Sequence, residues 1–286
     1  MSVILLAKLK EVHCEVCGDV PSRELLKLHG SAYHECTSCL LIYAKWVSQD
    51  YVEDNEAAFA SELQDYVSKA SDQRRVKKLE KELGPYSHYR KTNQFLEVGC
   101  NAGSVLLTAR KLGWDVHGVD ISAAATEFGR TTWDLNLHTG TLESAGYDDD
   151  TFDVIFSNAT LEHVELPLST LSEISRVLRP GGIFYCNTVN WDSYTRQILN
   201  ENWFLIAPTH HIHLFTPENV LMLCEKSGLE HLKTWTTGVR LQANAPESTF
   251  VTPWYLNLMK GPLSMLTRFT KKGDSIYFTA TKAHPR

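Results

Sequence analysis

Four cysteines carry the clearest chemistry in this 286-residue chain. Cys14 and Cys17 form one C-x2-C, and Cys36 and Cys39 form a second, with 18 residues between the pairs. Tetrahedral zinc takes four thiolates converging on one point, and two short knuckles joined by a hairpin supply them. Gly18 eases the first knuckle, and residues 23–33 hold two short strands around His29-Gly30. With four thiolates the site is closed, so the expected role of the zinc is structural. A segment this small lacks the core to fold without the metal. Two disulfides are the competing reading. Against it, Cys100, Cys186 and Cys224 stand in apolar or motif contexts, and an odd count with no secretion signal fits a reducing compartment. His13 and His34 are read as bystanders.

A second constellation begins at residue 95, where Phe-Leu-Glu-Val-Gly-Cys-Asn-Ala-Gly runs a strand into a glycine turn and then a helix. That geometry brings backbone N–H groups and a helix N-terminus to a ligand. The spacing is G-x-x-x-G, with Asn101 where a dinucleotide fingerprint has its second glycine, so NAD is disfavoured. Asp120 falls 21 residues after Gly99, at the tip of the next strand, where an acid accepts hydrogen bonds from ribose hydroxyls. Loop and acid together point to a nucleoside ligand. Ser122 is the better candidate for capping the helix that follows. A third group, His210, His211 and His213, clusters before Pro217. A histidine near neutral pKa is the usual proton acceptor, although three so close together also suit metal binding or packing.

The elements that must position these residues change character along the chain. Residues 56–83 have the apolar spacing of one or two amphipathic helices, stopped at Gly84-Pro85. From residue 94, strands at 94–98, 115–119, 135–138, 152–157 and 183–188 alternate with helices at 104–112, 123–130 and 166–178. This rhythm predicts a mainly parallel sheet with helices on both faces. A helix over 218–227, strands near 230–236 and 275–281, and a proline-containing insertion at 243–269 complete the chain. The balance of 28 basic against 34 acidic residues argues against a generic nucleic-acid binder. No stretch approaches the ~18 apolar residues of a membrane span, so a cytoplasmic protein is expected.

Five segments taken in order, Glu97–Gly103, Gly118–Ser122, Thr151–Asn158, Leu161–Val164 and Arg176–Gly182, resemble the S-adenosylmethionine-dependent methyltransferases of the Rossmann-like class. The zinc ribbon in front and the residues 209–217 behind look like a subgroup of natural-product and surface-polysaccharide pathways. The resemblance implies an α/β fold, a seven-stranded doubly wound sheet whose last strand is antiparallel. It also assigns roles. Glu97 with Gly99, Cys100, Asn101 and Gly103 would hold the methionine end. Asp120 would bind the ribose, with Ile121 against adenine, Thr141 and Leu142 along its edge, and Asn158 facing the methionine portion. Pro180-Gly181-Gly182 would be a turn into the fifth strand. In related sugar C-methyltransferases a Tyr-x-x-His pair takes part in catalysis. Here His210 and His213 stand at those positions and no tyrosine does, which favours O-methylation.

The expected organisation is a zinc ribbon over 1–45, a helical linker or lid over 46–90, and a methyltransferase domain over 91–286. The expected reaction is O-methylation of a small molecule, at a sugar or natural-product hydroxyl or carboxyl. An RNA methyltransferase and a non-catalytic cofactor-binding scaffold are the alternatives. Oligomeric state is not legible in the sequence.

Overall fold

The computed structural model describes residues 9–28, 31–50, 59, 63–64, 66–208, 210–241, 243 and 254–283. His29-Gly30 and parts of the expected 46–90 linker lie outside the described residues.

The amino-terminal strands are β1 (Leu9–Glu11), β2 (Ser22–Leu28), β3 (Ser31–Cys36), β4 (Ile42–Ala44) and β5 (Trp46–Ser48). The larger sheet that follows has β6 (Gln94–Val98), β7 (Asp115–Asp120), β8 (Asn136–Thr139), β9 (Phe152–Asn158), β10 (Leu178–Val189), β12 (Leu229–Thr237) and β13 (Ser275–Lys282). Its order is β12-β13-β10-β9-β6-β7-β8. Strands β8, β7, β6, β9 and β10 pair parallel, while β13 runs antiparallel to both β10 and β12. The central strands are buried on both faces; in β9, Phe152 through Ser157 are all buried, which explains its unbroken apolar run.

Helices α1 (Gln73–Leu83), α2 (Ser104–Lys111), α3 (Ala123–Trp133), α4 (Pro167–Val177), α5 (Tyr194–Leu199), α6 (Pro217–Lys226) and α7 (Trp254–Thr270) accompany the sheet. Ser122 caps α3 through its hydroxyl on the Ala125 N–H, and Thr216 with Asn219 forms a capping box on α6.

Strand β11 (His213–Leu214) pairs antiparallel with β4 and completes a four-stranded sheet in the order β11-β4-β3-β2. β1 pairs with β5. The ribbon therefore takes one edge strand from a distant part of the chain. Cys14, Tyr33, Cys36 and Leu41 belong to the same apolar cluster as Leu96, Phe184 and Phe278 of the large sheet.

Three local expectations change. The insertion over 243–269 contains helix α7, with Pro262 inside it. Leu258, Met265 and Phe269 are exposed while Leu263 and Thr267, one turn apart, are buried, and so narrow an inward stripe did not mark the helix in the sequence. Pro180-Gly181-Gly182 is a register irregularity within the continuous strand β10 rather than a turn before it. Gly84-Pro85 ends α1, but the chain continues as a 3-10 helix, Gly84–Tyr89, because proline is tolerated in a first helical turn.

Candidate active site

The glycine loop leaves β6 at the carboxyl ends of the parallel strands. Gly99, Asn101 and Gly103 take φ of 73°, 52° and 91°. Asparagine tolerates this left-handed region, which is why it can stand where a dinucleotide site has glycine. Asp120, ending β7, receives the Asn101 backbone N–H on Oδ2 at 2.7 Å and the Ser122 N–H on Oδ1 at 2.9 Å. Beneath the loop Glu97 is 3% exposed, and its Oε2 has no hydrogen-bond partner among the described residues. Burial, with the Asp120 charge beside it, pushes its pKa up, against the pull of Arg75.

A cavity of about 1120 Å³ opens beside this loop. Gly99, Asn101, Asp120 and Ile121 line one side; Thr141, Leu142 and Asn158 line another. Of the residues expected to hold the cofactor, Cys100 is buried at 3%, Gly103 is the cap residue of α2, and neither lines the cavity; nor does Glu97. Phe59 and Tyr66 close it from the linker segment, and Val47, Ser48 and Gln49 from the ribbon. Tyr66 also accepts the Ser104 N–H at 3.0 Å, at the N-terminus of α2. These features fit S-adenosylmethionine: an acid at a strand tip for a ribose, an apolar wall beside it, and a buried carboxylate oxygen awaiting a donor.

A second cavity of about 410 Å³ shares Asn158, Ala159 and His163 with the first. Glu162, His211, Thr188, Arg240 and Tyr277 also line it. The Nδ1 of His211 lies 2.8 Å from the Leu205 carbonyl, and that of His163 lies 2.8 Å from the His210 carbonyl. A carbonyl only accepts, so each Nδ1 carries a proton and Nε2 is the basic nitrogen of the neutral ring. Burial lowers both pKa values, and for His211 the neighbouring His163 lowers it further while Leu205 and Glu162 oppose the shift. Glu162, 2% exposed, accepts the Thr188 hydroxyl at 2.8 Å. One donor atom each of Glu162, His163 and His211 lie within 4.8 Å of one another, close enough to share a proton or a divalent cation.

The fold separates the three clustered histidines. His211 lines the second cavity, His210 is exposed, and His213 is 0% exposed on β11 and lines neither cavity. His213 holds the Val164 carbonyl through Nδ1 at 3.1 Å, and burial depresses its pKa to about 4. Glu162 was missed in the sequence. Its only signal is its place before His163, because its partners Thr188 and His211 are brought to it by folding.

In the ribbon the sulfurs of Cys14, Cys17, Cys36 and Cys39 lie within 4.8 Å of one another, and none is in a disulfide. Four convergent sulfurs with no carboxylate or imidazole among them are the donor set that suits zinc. His13 faces Asp19 and His34 faces Ser22 instead.

The sheet order, the strand-tip acid and the glycine loop define a Rossmann-like methyltransferase fold. Residues 59–234, more than half of the chain, match the model of the methyltransferase domain family, and the chain belongs to that family. It is 29% identical over 148 residues to the ubiquinone biosynthesis O-methyltransferase of Cereibacter sphaeroides, a match covering 48% of this chain and 60% of that relative. The chain therefore spans somewhat over half the length of that curated relative. Among solved structures, it is similar to the complex of the Haloferax volcanii Trm112 methyltransferase activator with a putative methyltransferase. The TM-score is 0.55 at 19% identity, over 82% of this chain and 99% of that one. A SAM-dependent methyltransferase from Archaeoglobus fulgidus superposes with a TM-score of 0.52 at 20% identity, over 72% and 94% of the two chains. No helix of the described residues is long and apolar enough to cross a membrane.

Proposed function

We propose that this protein methylates an oxygen of a small-molecule acceptor seated in the second cavity, with His211 accepting the proton. S-adenosylmethionine supplies an electrophilic methyl on its sulfonium, so the protein's work is alignment, exclusion of water and removal of a proton. Asp120 would hold the ribose, Ile121, Thr141 and Leu142 the adenine side, and Gly99, Asn101 and Asn158 the methionine side. The observation that carries the reading is His211. Its Nδ1 is locked on a carbonyl, its ring lines a cavity that meets the cofactor cavity at Asn158 and His163, and its lowered pKa keeps the ring neutral near pH 7, so Nε2 is open to a proton.

The Cereibacter relative is named an O-methyltransferase, which supports the oxygen acceptor. A sugar or natural-product hydroxyl makes use of the base, whereas a carboxyl acceptor needs none. The four ribbon sulfurs would hold one structural zinc, and seven cysteines without a disulfide suit the cytoplasm.

The test is label transfer from methyl-labelled S-adenosylmethionine into fractionated cell extract, with wild type and His211→Ala in parallel. Label in small molecules or polysaccharide, reduced at least ~100-fold by His211→Ala, is the expected result. Wild-type turnover in His211→Ala removes the base. Label in RNA makes the chain an RNA methyltransferase. Failure to bind S-adenosylhomocysteine refutes the cofactor assignment.

A further inference from the structure

We infer that the four-cysteine ribbon is the positioning element of the acceptor side, acting through Glu15 and Tyr33; this rests on the reading that His163 and His211 face the acceptor. Helix α4 begins at Pro167, and its cap residue Leu166 has no side chain to offer the first turn. Glu15, lying between Cys14 and Cys17 in the first knuckle, does so from 153 residues away. Its carboxylate accepts the Leu168 N–H at 2.6 Å and the Ser169 N–H at 2.7 Å. These are the N–H groups that a local cap satisfies, and a carboxylate also suits the positive end of the helix. The turn it pins carries His163, which lines both cavities, and Val164, Glu165 and Leu166, which line the first.

The second knuckle side grips the facing segment. The hydroxyl of Tyr33, a residue 0% exposed, donates to the His211 carbonyl at 2.8 Å. The Ala44 N–H donates to the Ile212 carbonyl at 2.7 Å, and β4 then pairs with β11. Between the two gripped segments the rings of His163 and His211 sit 4.9 Å apart. Neither histidine is on a regular strand or helix of the large sheet; their segments are tied to each other through His163 Nδ1 on the His210 carbonyl and the His213 N–H on the Glu162 carbonyl, and the ribbon holds each segment from its other side. Glu15 and Tyr33 are positioning residues: each holds backbone of a segment bearing one imidazole and reaches no reacting atom.

The experiment compares wild type, Glu15→Ala, Glu15→Gln and Tyr33→Phe, all loaded with S-adenosylhomocysteine, by NMR of nitrogen-labelled histidine. The expected result is a displacement of the His163 or His211 titration midpoint by about half a pH unit in Glu15→Ala and Tyr33→Phe. His117 and His231, on other elements, should keep their wild-type midpoints. Glu15→Gln keeps one acceptor oxygen and should recover part of the displacement. Tyr33→Phe removes a single oxygen and keeps the ring, so it reads the coupling even where Glu15→Ala unfolds. Wild-type midpoints for both histidines in Tyr33→Phe and in the folded Glu15 variants overturn the inference. No acceptor is needed, so a dispensable His211 in the turnover assay would refute the base and leave the positioning role standing.

Discussion

Asp120 braces Asn101: the carboxylate at the tip of β7 accepts the backbone N–H of the glycine loop at 2.7 Å, while its other oxygen takes the Ser122 N–H at 2.9 Å. One acid thus shapes the loop and lines the first cavity. Asp120→Ala should weaken S-adenosylhomocysteine binding by roughly 10–100-fold, the loss of one or two charge-assisted hydrogen bonds. Calorimetry on the folded variant measures this; wild-type affinity would contradict the ribose assignment.

Gly99→Ala should be more damaging than its size implies. Gly99 has φ of 73°, and a Cβ there would stand 2.1 Å from the Thr160 hydroxyl oxygen. The left-handed backbone alone costs a non-glycine residue about 1–2 kcal/mol. The clash adds to it, and cofactor affinity should be lost. Combining it with Thr160→Gly relieves the contact but not the backbone cost, so affinity should return only in part.

His213 predicts a pH dependence of stability. Its folded pKa, about 4, lies below the ordinary 6.5 because the ring is buried. The unfolded chain therefore binds the extra proton first. The stability contributed by the neutral buried ring is fully present above pH 6.5 and is lost as pH falls toward 4, by about 2–3 kcal/mol. Denaturant melts of His213→Asn should show a smaller fall across that window than wild type. An equal fall would place the acid sensitivity elsewhere.

Elemental analysis should find one zinc per chain. Cys36→Ser should lower both the zinc content and the unfolding temperature. Because Cys36 and Tyr33 share an apolar cluster with the large sheet, the loss should appear in the main unfolding transition rather than as a separate early step. Zinc-free protein that unfolds like wild type would refute a structural metal.

The alternating strands and helices of residues 94–189 were legible because local patterns encode them: buried strands are continuous apolar runs, and Ser122 caps α3 through a neighbour three residues away. Several residues lining the first cavity were legible for a similar reason, while those from the ribbon and linker, such as Val47 and Tyr66, were not. The glycine loop, Asp120 and Asn158 all sit at strand ends, so naming the strand places the residue. Helix α7 was not legible, because most of its described apolar side chains are exposed and only Leu263 and Thr267 turn inward.

By itself, then, the sequence determined the order of the sheet elements, the cysteine knuckles and the residues at the strand tips, all of which depend on contacts or spacings within a short stretch of chain. Tertiary structure alone decided which of three neighbouring histidines reaches a cavity. His210, His211 and His213 are indistinguishable by type and spacing, yet β11 pairing buries His213 against the ribbon and turns His211 toward Glu162 and His163. It also decided that Glu15 caps a helix 153 residues further on. A hydrogen bond between segments so far apart has no local signature; it exists only once the ribbon and the sheet share one core.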